Sequence, residues 1–266
     1  MKIVRFQYEH SISYGVLQND LIEVYTGAPF PQPGRQDNIF EPAGRQVSLK
    51  DVQLISPCPA SKVVCLGLNY RPHADELNIK LPGLPLLFLK PSTAIIGPGG
   101  NIVLPPLPER IDYEGELGIV IGKTAKNISE QDYAGCILGY TCFNDVTDRV
   151  AQVKDGQWTR AKGYDTFAPI GPCIETAVSP FNLKLETHVN GERKQSGNTC
   201  DLIFGIPRLI NFISSIMTLL PGDVIATGTP DGIGPLKAGD VVEITIEGIG
   251  SLKNPVVAFN TKSLFG

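Results

Sequence analysis

The sequence predicts an α+β protein that is dominated by β-strands. Three observations support this prediction. Polar and apolar residues alternate in "KIVRFQY" and around a turn at Asn19-Asp20, short apolar runs recur throughout, and only one long segment repeats at helical spacing. A Pro/Gly-rich loop, "GAPFPQPGRQDNIFEPAGRQ", follows the first strands. We place a domain boundary near residue 53, which gives a small β-rich N-terminal domain, residues 1–52, and a larger domain, residues 53–266.

Individual strands of the larger domain are predicted from apolar runs and turn residues. The runs cover residues 63–68, 117–121 and 137–143, and "DVIA" precedes a Gly-rich loop. The stretch "LKLETHVNGERKQSG" predicts a hairpin that turns at Asn190-Gly191. The C-terminal stretch "DVVEITIEGIGSLKNPVV" alternates as strands do. These patterns predict a larger domain built mainly from paired strands.

Three segments carry helix signals. The stretch "PHADELN" suits one or two turns, with Pro72 at the first helical position. In "SEQDYAGCILGY", Ser129 is a suitable N-cap, with Asp132 three residues later. The clearest helix is "IPRLINFISSIMTLL", in which apolar residues from Ile206 to Leu220 repeat at helical spacing before "PGD". That apolar stripe is expected to lie in the core.

Composition and charge exclude several classes of protein. The 266 residues carry a formal net charge of -4 and no Lys/Arg-rich run, which argues against a nucleic-acid partner. No apolar run approaches eighteen residues and "MKIVRFQYEH" lacks a secretory signal, so we expect no membrane association. The six cysteines form no C-x-x-C pair, which favours reduced thiols. These features predict a soluble, cytoplasmic protein.

The stretch "DYEGELGIVIG" combines acidic residues with a buried-strand pattern. Asp112, Glu114 and Glu116 occupy alternate positions, which point to one face of a strand. One interpretation is the solvated face of an antiparallel strand, which is the commoner case. The alternative is a site for Mg²⁺, Mn²⁺ or Ca²⁺, because these cations prefer oxygen ligands and would offset the repulsion between the carboxylates.

A further ligand is available in "GYTCFNDVTDRVAQ". Asp145 follows an apolar strand directly, although Asn-Asp at a strand end is also ordinary turn chemistry. The same region supplies Arg149 and Gln152, and Lys162 follows in "TRAKGYDTF". Basic and amide side chains beside a metal would suit an anionic, carboxylate-bearing substrate.

A histidine and a carboxylate lie three residues apart in "LNYRPHADEL". On a helical turn His73 and Glu76 share a face and can form a hydrogen bond, which would make a general base. An incidental pair on a surface helix is an equal alternative. The loop "ATGTPDGIGPLKAGD" lacks the phosphate-loop pattern, but its amides with Thr227 or Thr229 could hold a carboxylate.

Taken together, the segments resemble the fumarylacetoacetate hydrolase family. The resemblance covers roughly residues 53–260 and rests on eight segments in the family's order: "GLNYRPHADE", "FLKPSTAIIGPG", "DYEGELGIVIGK", "GYTCFNDVTDRVAQ", "KGYDTFAPIGP", "VNGERKQSGNT", "LLPGDVIATGTPDGIGPL" and "IEGIGSLKNPV". It implies a mixed β-sandwich or roll-like catalytic domain, a small N-terminal domain, a homodimer and a carboxylate-rich site for Mg²⁺ or Mn²⁺. The family's metal ligands correspond to Glu114, Glu116 and Asp145. Asp112 matches no assigned role, and we expect it to lie behind the ligands or to be exposed.

The resemblance also implies catalytic and substrate-binding roles. His73 and Glu76 match the dyad of the acylpyruvate-hydrolysing and oxaloacetate-decarboxylating members, on a segment that folds over the site as a lid. Lys162 matches the lysine beside the metal. The positions that contact substrate correspond to Arg149, Gln152 and Thr229.

One departure from the family pattern narrows the expected activity. Fumarylacetoacetases take a fourth carboxylate ligand from the segment before the lid histidine, and "KVVCLGLNY" contains no Asp or Glu. The resemblance therefore implies hydrolysis or decarboxylation of a small 2-oxo acid, such as an acylpyruvate or oxaloacetate, through an enolate. The alternatives are the 2-hydroxyhepta-2,4-diene-1,7-dioate isomerase and 5-oxopent-3-ene-1,2,5-tricarboxylate decarboxylase activities of aromatic catabolism, and a non-catalytic protein that binds metal and ligand.

Overall fold

Strands dominate the computed structural model, which describes residues 1–31, 39–76 and 80–260. In chain order the strands are β1 (Lys2–Tyr8), β2 (Ser11–Gln18), β3 (Leu21–Gly27), β4 (Phe40–Ser48), β5 (Gln53–Ile55), β6 (Lys62–Leu66), β7 (Leu87–Pro91), β8 (Ile95–Ile96), β9 (Ile102–Val103), β10 (Ile111–Tyr113), β11 (Gly115–Ile121), β12 (Ile137–Asn144), β13 (Thr147–Asp148), β14 (Ala168–Glu175), β15 (Lys184–Val189), β16 (Glu192–Asn198), β17 (Val224–Ala226), β18 (Gly234–Pro235), β19 (Val241–Ile246) and β20 (Gly250–Val257). The α-helices are α1 (Arg71–Glu76), α2 (Arg149–Asp155), α3 (Thr159–Lys162) and α4 (Ile206–Ile216). Short 3-10 turns cover Leu49–Asp51, Ser92–Ala94, Tyr133–Cys136 and Thr199–Asp201. The predicted β-dominated α+β class is confirmed.

One large mixed sheet joins the N-terminal strands to the rest of the chain. Its order is β4-β3-β2-β1-β14-β12-β11-β17-β6-β7, with β5 paired to β1 and β8 to β14. The N-terminal strands continue this sheet because β1 pairs with β14 in the register Lys2↔Glu175. Most neighbours are antiparallel, whereas β17 runs parallel to β6 and β8 runs parallel to β14. The N-terminal strands therefore share a sheet with the larger unit.

A second sheet packs on the large one and encloses the main core. This five-stranded sheet has the order β16-β15-β19-β20-β9. Leu117 and Ile119 of β11 lie in one apolar cluster with Leu185 of β15, Ile244 of β19 and residues of α4. Val120, on the opposite face of β11, belongs to a second buried cluster. Both faces of the large sheet are thus covered in its centre, the sheet-on-sheet arrangement of a β-sandwich.

The strand β11 is buried along its whole length, as its apolar run predicts. It pairs with β12 on one side and β17 on the other. A short three-stranded sheet, β13-β10-β18, lies at the acidic end of β11. The chain crosses from β10 to β11 at Glu114, so this residue stands where the two sheets meet.

Both predicted hairpins are present. β2 and β3 pair through Gln18↔Leu21, and β15 and β16 pair through Val189↔Glu192. Asn190 and Gly191 have φ angles of 53° and 81°, the left-handed conformation that such two-residue turns require. The turn residues in the sequence therefore predicted the pairing of these strands correctly.

Two predictions of local structure are wrong. Residues 40–46, which were predicted as loop, lie in the edge strand β4, where Pro42 is tolerated because an edge strand needs fewer donors; residues 32–38 of that loop lie outside the described residues. The predicted helix after Ser129 is only a 3-10 turn, Tyr133–Cys136. Ser129 accepts the predicted capping bond from the amide of Asp132. Pairing with β11 then takes the chain into β12 from Ile137.

The longest helix, α4, ends before the apolar pattern that predicted it, which extends to Leu220. α4 ends at Ile216, because Leu219 leaves the helix to exchange backbone hydrogen bonds with Ala125. Ile216 and Leu220 are largely exposed, so the end of the predicted stripe does not lie in the core. The first predicted helix is α1, and its predicted extension to residues 77 and 78 lies outside the described residues. Among the described helices, none has the length and apolar character needed to cross a membrane.

Candidate active site

Three buried carboxylates meet beside β11. Glu114 precedes the strand, Glu116 is its second residue, and Asp145 directly follows β12. Backbone hydrogen bonds fix this junction: the amide of Asp145 donates to the carbonyl of Glu114 (2.9 Å), and the amide of Glu114 donates to Asn144 Oδ1 (3.1 Å). One carboxylate oxygen from each acidic residue lies within 4.8 Å of the others. The structure therefore brings together the three residues that the sequence proposed as metal ligands.

Two of these carboxylates have basic partners. Lys162 Nζ lies 2.9 Å from Glu114 Oε2 and 2.6 Å from Asp145 Oδ2. Arg149 also contacts Glu114, and Lys90 Nζ lies 2.8 Å from Asp145 Oδ1. Burial disfavours an ionised Glu114, but Lys162 and Arg149 outweigh it and lower the pKa of this carboxyl to about 2. Glu114 is thus held as a carboxylate.

Glu116 differs from its neighbours because no basic side chain pairs with it among the described residues. Its Oε2 accepts a hydrogen bond from the amide of Gly228 (2.8 Å). Burial, followed by the charges of Asp145 and Glu114, raises the pKa of Glu116 well above its usual range. The site therefore contains one buried carboxyl group that forms no ion pair within the described residues, and the Gly228 amide and the charge of Lys162 only partly offset the cost of ionising it.

The donor set fits a hard divalent cation. Mg²⁺, Mn²⁺ and Ca²⁺ all take carboxylate oxygens, and a cation among Glu114, Glu116 and Asp145 would neutralise the unpaired charge of Glu116. Because the acidic residues are buried, the interpretation of this stretch as a solvated strand face is wrong.

Asp112 lies behind the carboxylate cluster. It is fully buried on β10, and its oxygens accept hydrogen bonds from Arg110 Nε (2.9 Å) and Arg149 Nε (3.0 Å). Arg149 in turn contacts Glu114. Asp112 therefore orients the guanidinium that faces the site.

The predicted histidine–carboxylate pair lies on α1. His73 Nδ1 is 2.9 Å from Glu76 Oε2; His73 is buried, whereas the Glu76 side chain is 41% exposed. If Nδ1 carries the proton that Glu76 accepts, Nε2 keeps a free lone pair and can accept a proton. His73 and the carboxylates Glu114 and Glu116 line the same cavity of about 320 Å³. The alternative of an incidental surface pair does not fit a buried imidazole in this position.

The predicted substrate-binding residues line this cavity too. Arg149 donates to Gln152 Oε1 (2.6 Å), so α2 presents both side chains together. The Thr229 hydroxyl donates to the carbonyl of Gly115 (2.9 Å) and accepts from Gln195 Nε2 (2.8 Å). Thr229 therefore secures the backbone between Glu114 and Glu116, in addition to lining the cavity.

Sequence reasoning missed Lys90 and Trp158. Lys90 is fully buried on β7, and Nζ donates to the carbonyls of Val146, Lys162 and Phe167 at 2.7–2.9 Å. A lone lysine between apolar residues in "LLFLKP" was the available signal. Trp158, the only tryptophan of the chain, lines the cavity just before α3.

Replacing Lys90 with Met should lower the free energy of unfolding by about 3–5 kcal/mol, because Asp145 and three carbonyls would lose a buried partner. Urea unfolding of the metal-free protein measures this. Lys184→Met is the control, since Lys184 pairs with Glu186 at the surface and should contribute about 1 kcal/mol or less. If Lys90→Met lowered the free energy of unfolding by no more than the control does, the claim that Lys90 stabilises the fold as a buried partner would be contradicted.

Comparison with known proteins covers nearly the whole chain. The family model described as fumarylacetoacetate (FAA) hydrolase C-terminal matches residues 62–257, and one described as Rv2993c-like, N-terminal, matches residues 1–57. Protein Rv2993c of Mycobacterium tuberculosis is 53% identical over 217 residues, which are 80% of this chain and 82% of that protein.

Two solved structures are similar throughout. 5-Carboxymethyl-2-hydroxymuconate delta-isomerase from Mycobacterium smegmatis is 44% identical, with a TM-score of 0.90 over 97% of this chain and 100% of that one. Maleylpyruvate hydrolase from Sphingobium sp. SYK-6, in complex with manganese (II) ion and pyruvate, is 32% identical, with a TM-score of 0.80 over 98% of this chain and 100% of that one.

Proposed function

The chain belongs to the fumarylacetoacetate hydrolase family of enzymes, and on this basis we propose that it cleaves a carbon–carbon bond of a small 2-oxo acid in a reaction that requires a divalent cation. The observation that carries the proposal is a single cavity whose lining includes Glu114, Glu116 and His73. A similar protein, maleylpyruvate hydrolase, binds manganese (II) ion and pyruvate, which supports both the cation and the class of product.

The proposed cation site consists of Glu114, Glu116 and Asp145. When bound, Mg²⁺ or Mn²⁺ would act as a Lewis acid toward the carboxylate and keto oxygens of the 2-oxo acid. Lys162 and Arg149 provide fixed positive charge beside the carboxylates. Burial alone would lower the pKa of Lys162, but Asp145 and Glu114 outweigh it and raise that pKa above its usual value, so the lysine stays charged. A fixed charge of this kind stabilises negative charge that develops during the reaction.

His73 is proposed as the general base for hydrolysis of an acylpyruvate. Nε2 takes a proton from water, and the resulting hydroxide adds to the distal carbonyl carbon. The bond between that carbon and the adjacent methylene then breaks, and its electron pair forms the enolate of pyruvate. The imidazolium returns the proton to the methylene carbon, which gives pyruvate and a carboxylic acid. Glu76 holds the imidazole in the required tautomer.

The same site could serve related reactions that pass through an enolate. For oxaloacetate, loss of CO₂ gives the same pyruvate enolate without attack by water. The specific alternative is isomerisation or decarboxylation of the 2-hydroxyhepta-2,4-diene-1,7-dioate type, and the similarity to a delta-isomerase supports it. In that reaction His73 would move a proton between carbons, and no pyruvate would form.

The proposal includes a cytoplasmic homodimer that acts on a small molecule, without a nucleic-acid or membrane partner. All six cysteines are free thiols, and five of them are buried, which supports a reducing compartment. The net charge of -4 supports the absence of a polyanionic partner. Light scattering of the purified protein tests the dimer.

Turnover by metal-stripped protein, before and after addition of Mg²⁺ or Mn²⁺, tests the reaction. The substrate panel consists of acetylpyruvate, fumarylpyruvate, oxaloacetate and the hydroxy-dienedioate. Turnover of each substrate is monitored by its ultraviolet absorbance and by the release of pyruvate. We expect turnover only with added metal, and pyruvate as a product. Metal-dependent loss of the dienedioate without pyruvate would favour the isomerase, and tight metal binding without any turnover would favour a binding protein.

A further inference from the structure

Trp158 separates the catalytic cavity from a larger groove outside it. The cavity that contains the carboxylates has a volume of about 320 Å³, and the adjoining groove has a volume of about 760 Å³. The two spaces share two lining side chains, Trp158 and Leu86. The groove is otherwise formed largely by β7 and by residues 156–163, and Leu89 contributes an exposed apolar side chain there. The indole is therefore a wall with the reaction site on one side and apolar space on the other.

The position of the indole is set by its neighbours. A Cβ atom on Gly67 would lie 2.7 Å from Trp158 Cη2 and Cζ3, so the ring packs directly against the glycine. The ring of Phe88 meets the indole edge-on with centroids 5.2 Å apart. The backbone carbonyl of Trp158 accepts a hydrogen bond from the amide of Lys162 (2.9 Å), which connects the backbone that carries the indole to the helical turn of the active-site lysine. The wall is thus fixed relative to the reacting groups.

We propose that Trp158 determines substrate specificity by limiting the length of the substituent that a bound 2-oxo acid carries away from its carboxylate. This inference rests on the proposed function, which puts the carboxylate and keto oxygens at the Glu114–Glu116–Asp145 end of the cavity. The distal substituent then extends toward Leu66, Leu86 and the indole, which are apolar. The enzyme accordingly selects short-chain 2-oxo acids, and removal of the indole joins the cavity to the outer groove.

Binding of a homologous series to Mg²⁺-loaded protein tests the length limit without requiring turnover. The probes are pyruvate, 2-oxobutanoate, 2-oxohexanoate and 2-oxooctanoate, measured by titration calorimetry. For the native protein we expect affinity to fall by tenfold or more between the four-carbon and eight-carbon acids. For Trp158→Ala we expect affinity to rise along the same series, by about fourfold per added methylene that the groove buries. Trp158→Phe should give an intermediate cut-off and serves if the alanine variant does not fold.

The control is Leu89→Ala, which alters the groove but not the cavity and should keep the native length profile. In the native protein, binding of a short acid should also change the emission of Trp158, because this residue is the only tryptophan. An unchanged profile in both Trp158 variants, or no binding of any 2-oxo acid to the native protein, would overturn the inference. If the Trp158 variants changed the dependence of affinity on chain length, but the native protein turned over none of the substrates in the panel, the length limit would hold. The proposed reaction would then be wrong.

Discussion

Replacing Glu116 with Gln should abolish tight binding of Mg²⁺ or Mn²⁺ and stop turnover, while making the metal-free protein more stable at neutral pH. Gln keeps an acceptor oxygen for the amide of Gly228 but removes the buried charge that has no basic partner. Loss of groups that only support metal ligands lowers metal affinity by about 10–100-fold, and loss of a proposed ligand should exceed that. Titration calorimetry with Mg²⁺ and urea unfolding of the stripped protein measure the two effects.

The gain in stability of Glu116→Gln over the stripped native protein should increase as pH rises. Burial, Asp145 and Glu114 raise the folded-state pKa of Glu116 above its ordinary value of 4.5. The contribution of Glu116 to the stability of the stripped native protein is therefore most favourable below pH 4.5 and is lost as pH rises through the folded-state pKa. In Glu116→Gln this loss should be absent. The variant and the native protein should thus be closest in stability at acidic pH and should diverge as pH rises.

Glu114→Gln is the matched substitution, and its effect on stability should have the opposite sign. Because Lys162 and Arg149 hold the pKa of Glu114 at about 2, ionised Glu114 stabilises the fold above the unfolded-state pKa, and this contribution is lost as pH falls toward 2. Its removal should cost about 3 kcal/mol at neutral pH. Equal destabilisation by both substitutions would mean that Glu116 is an ordinary buried partner, and the charge argument for a cation would fail.

The contrast between these two residues could not be found in the sequence. The acidic alternation and the apolar run of β11 identify Glu114 and Glu116 together, because both features are local. Which of them has a basic partner depends on Lys162, 48 residues away from Glu114 along the chain. Lys90 escaped notice for a similar reason, since its acceptors come from segments 56 to 77 residues distant. Local pattern predicts the residue types of the site, and tertiary pairing decides their charges.

The same difference between local patterns and tertiary pairing explains which elements of the fold were predicted. The hairpin at Asn190-Gly191 follows from turn chemistry, and β11 follows from an apolar run that is buried on both faces. The end of α4 and the strand β4 depend on partners elsewhere. Leu219 leaves its helical pattern to pair with Ala125, and a Pro-containing stretch becomes a strand because the edge of β3 is available. Local propensity is overridden where a distant partner supplies the hydrogen bonds.

His73→Ala should lower kcat for acylpyruvate hydrolysis by about 10²–10⁴-fold, the usual contribution of a positioned general base. Metal affinity should stay unchanged, because His73 is not among the clustered carboxylates. Glu76→Gln should have a smaller effect, since the amide oxygen can still accept a hydrogen bond from Nδ1 and hold the imidazole ring in place. His10→Ala, at an exposed turn between β1 and β2, is the control and should match the native enzyme.

A comparison of two substrates shows whether His73 activates water. Hydrolysis of acetylpyruvate requires a base to generate the nucleophile, whereas decarboxylation of oxaloacetate requires only that the enolate be stabilised and then protonated. His73→Ala should therefore reduce acetylpyruvate hydrolysis much more than oxaloacetate decarboxylation, and Glu116→Gln should reduce both alike. Equal losses in His73→Ala for the two substrates would assign the imidazole to substrate binding or protonation of the enolate. Unchanged turnover of both would remove the His73–Glu76 pair from the mechanism, although the carboxylate site would remain.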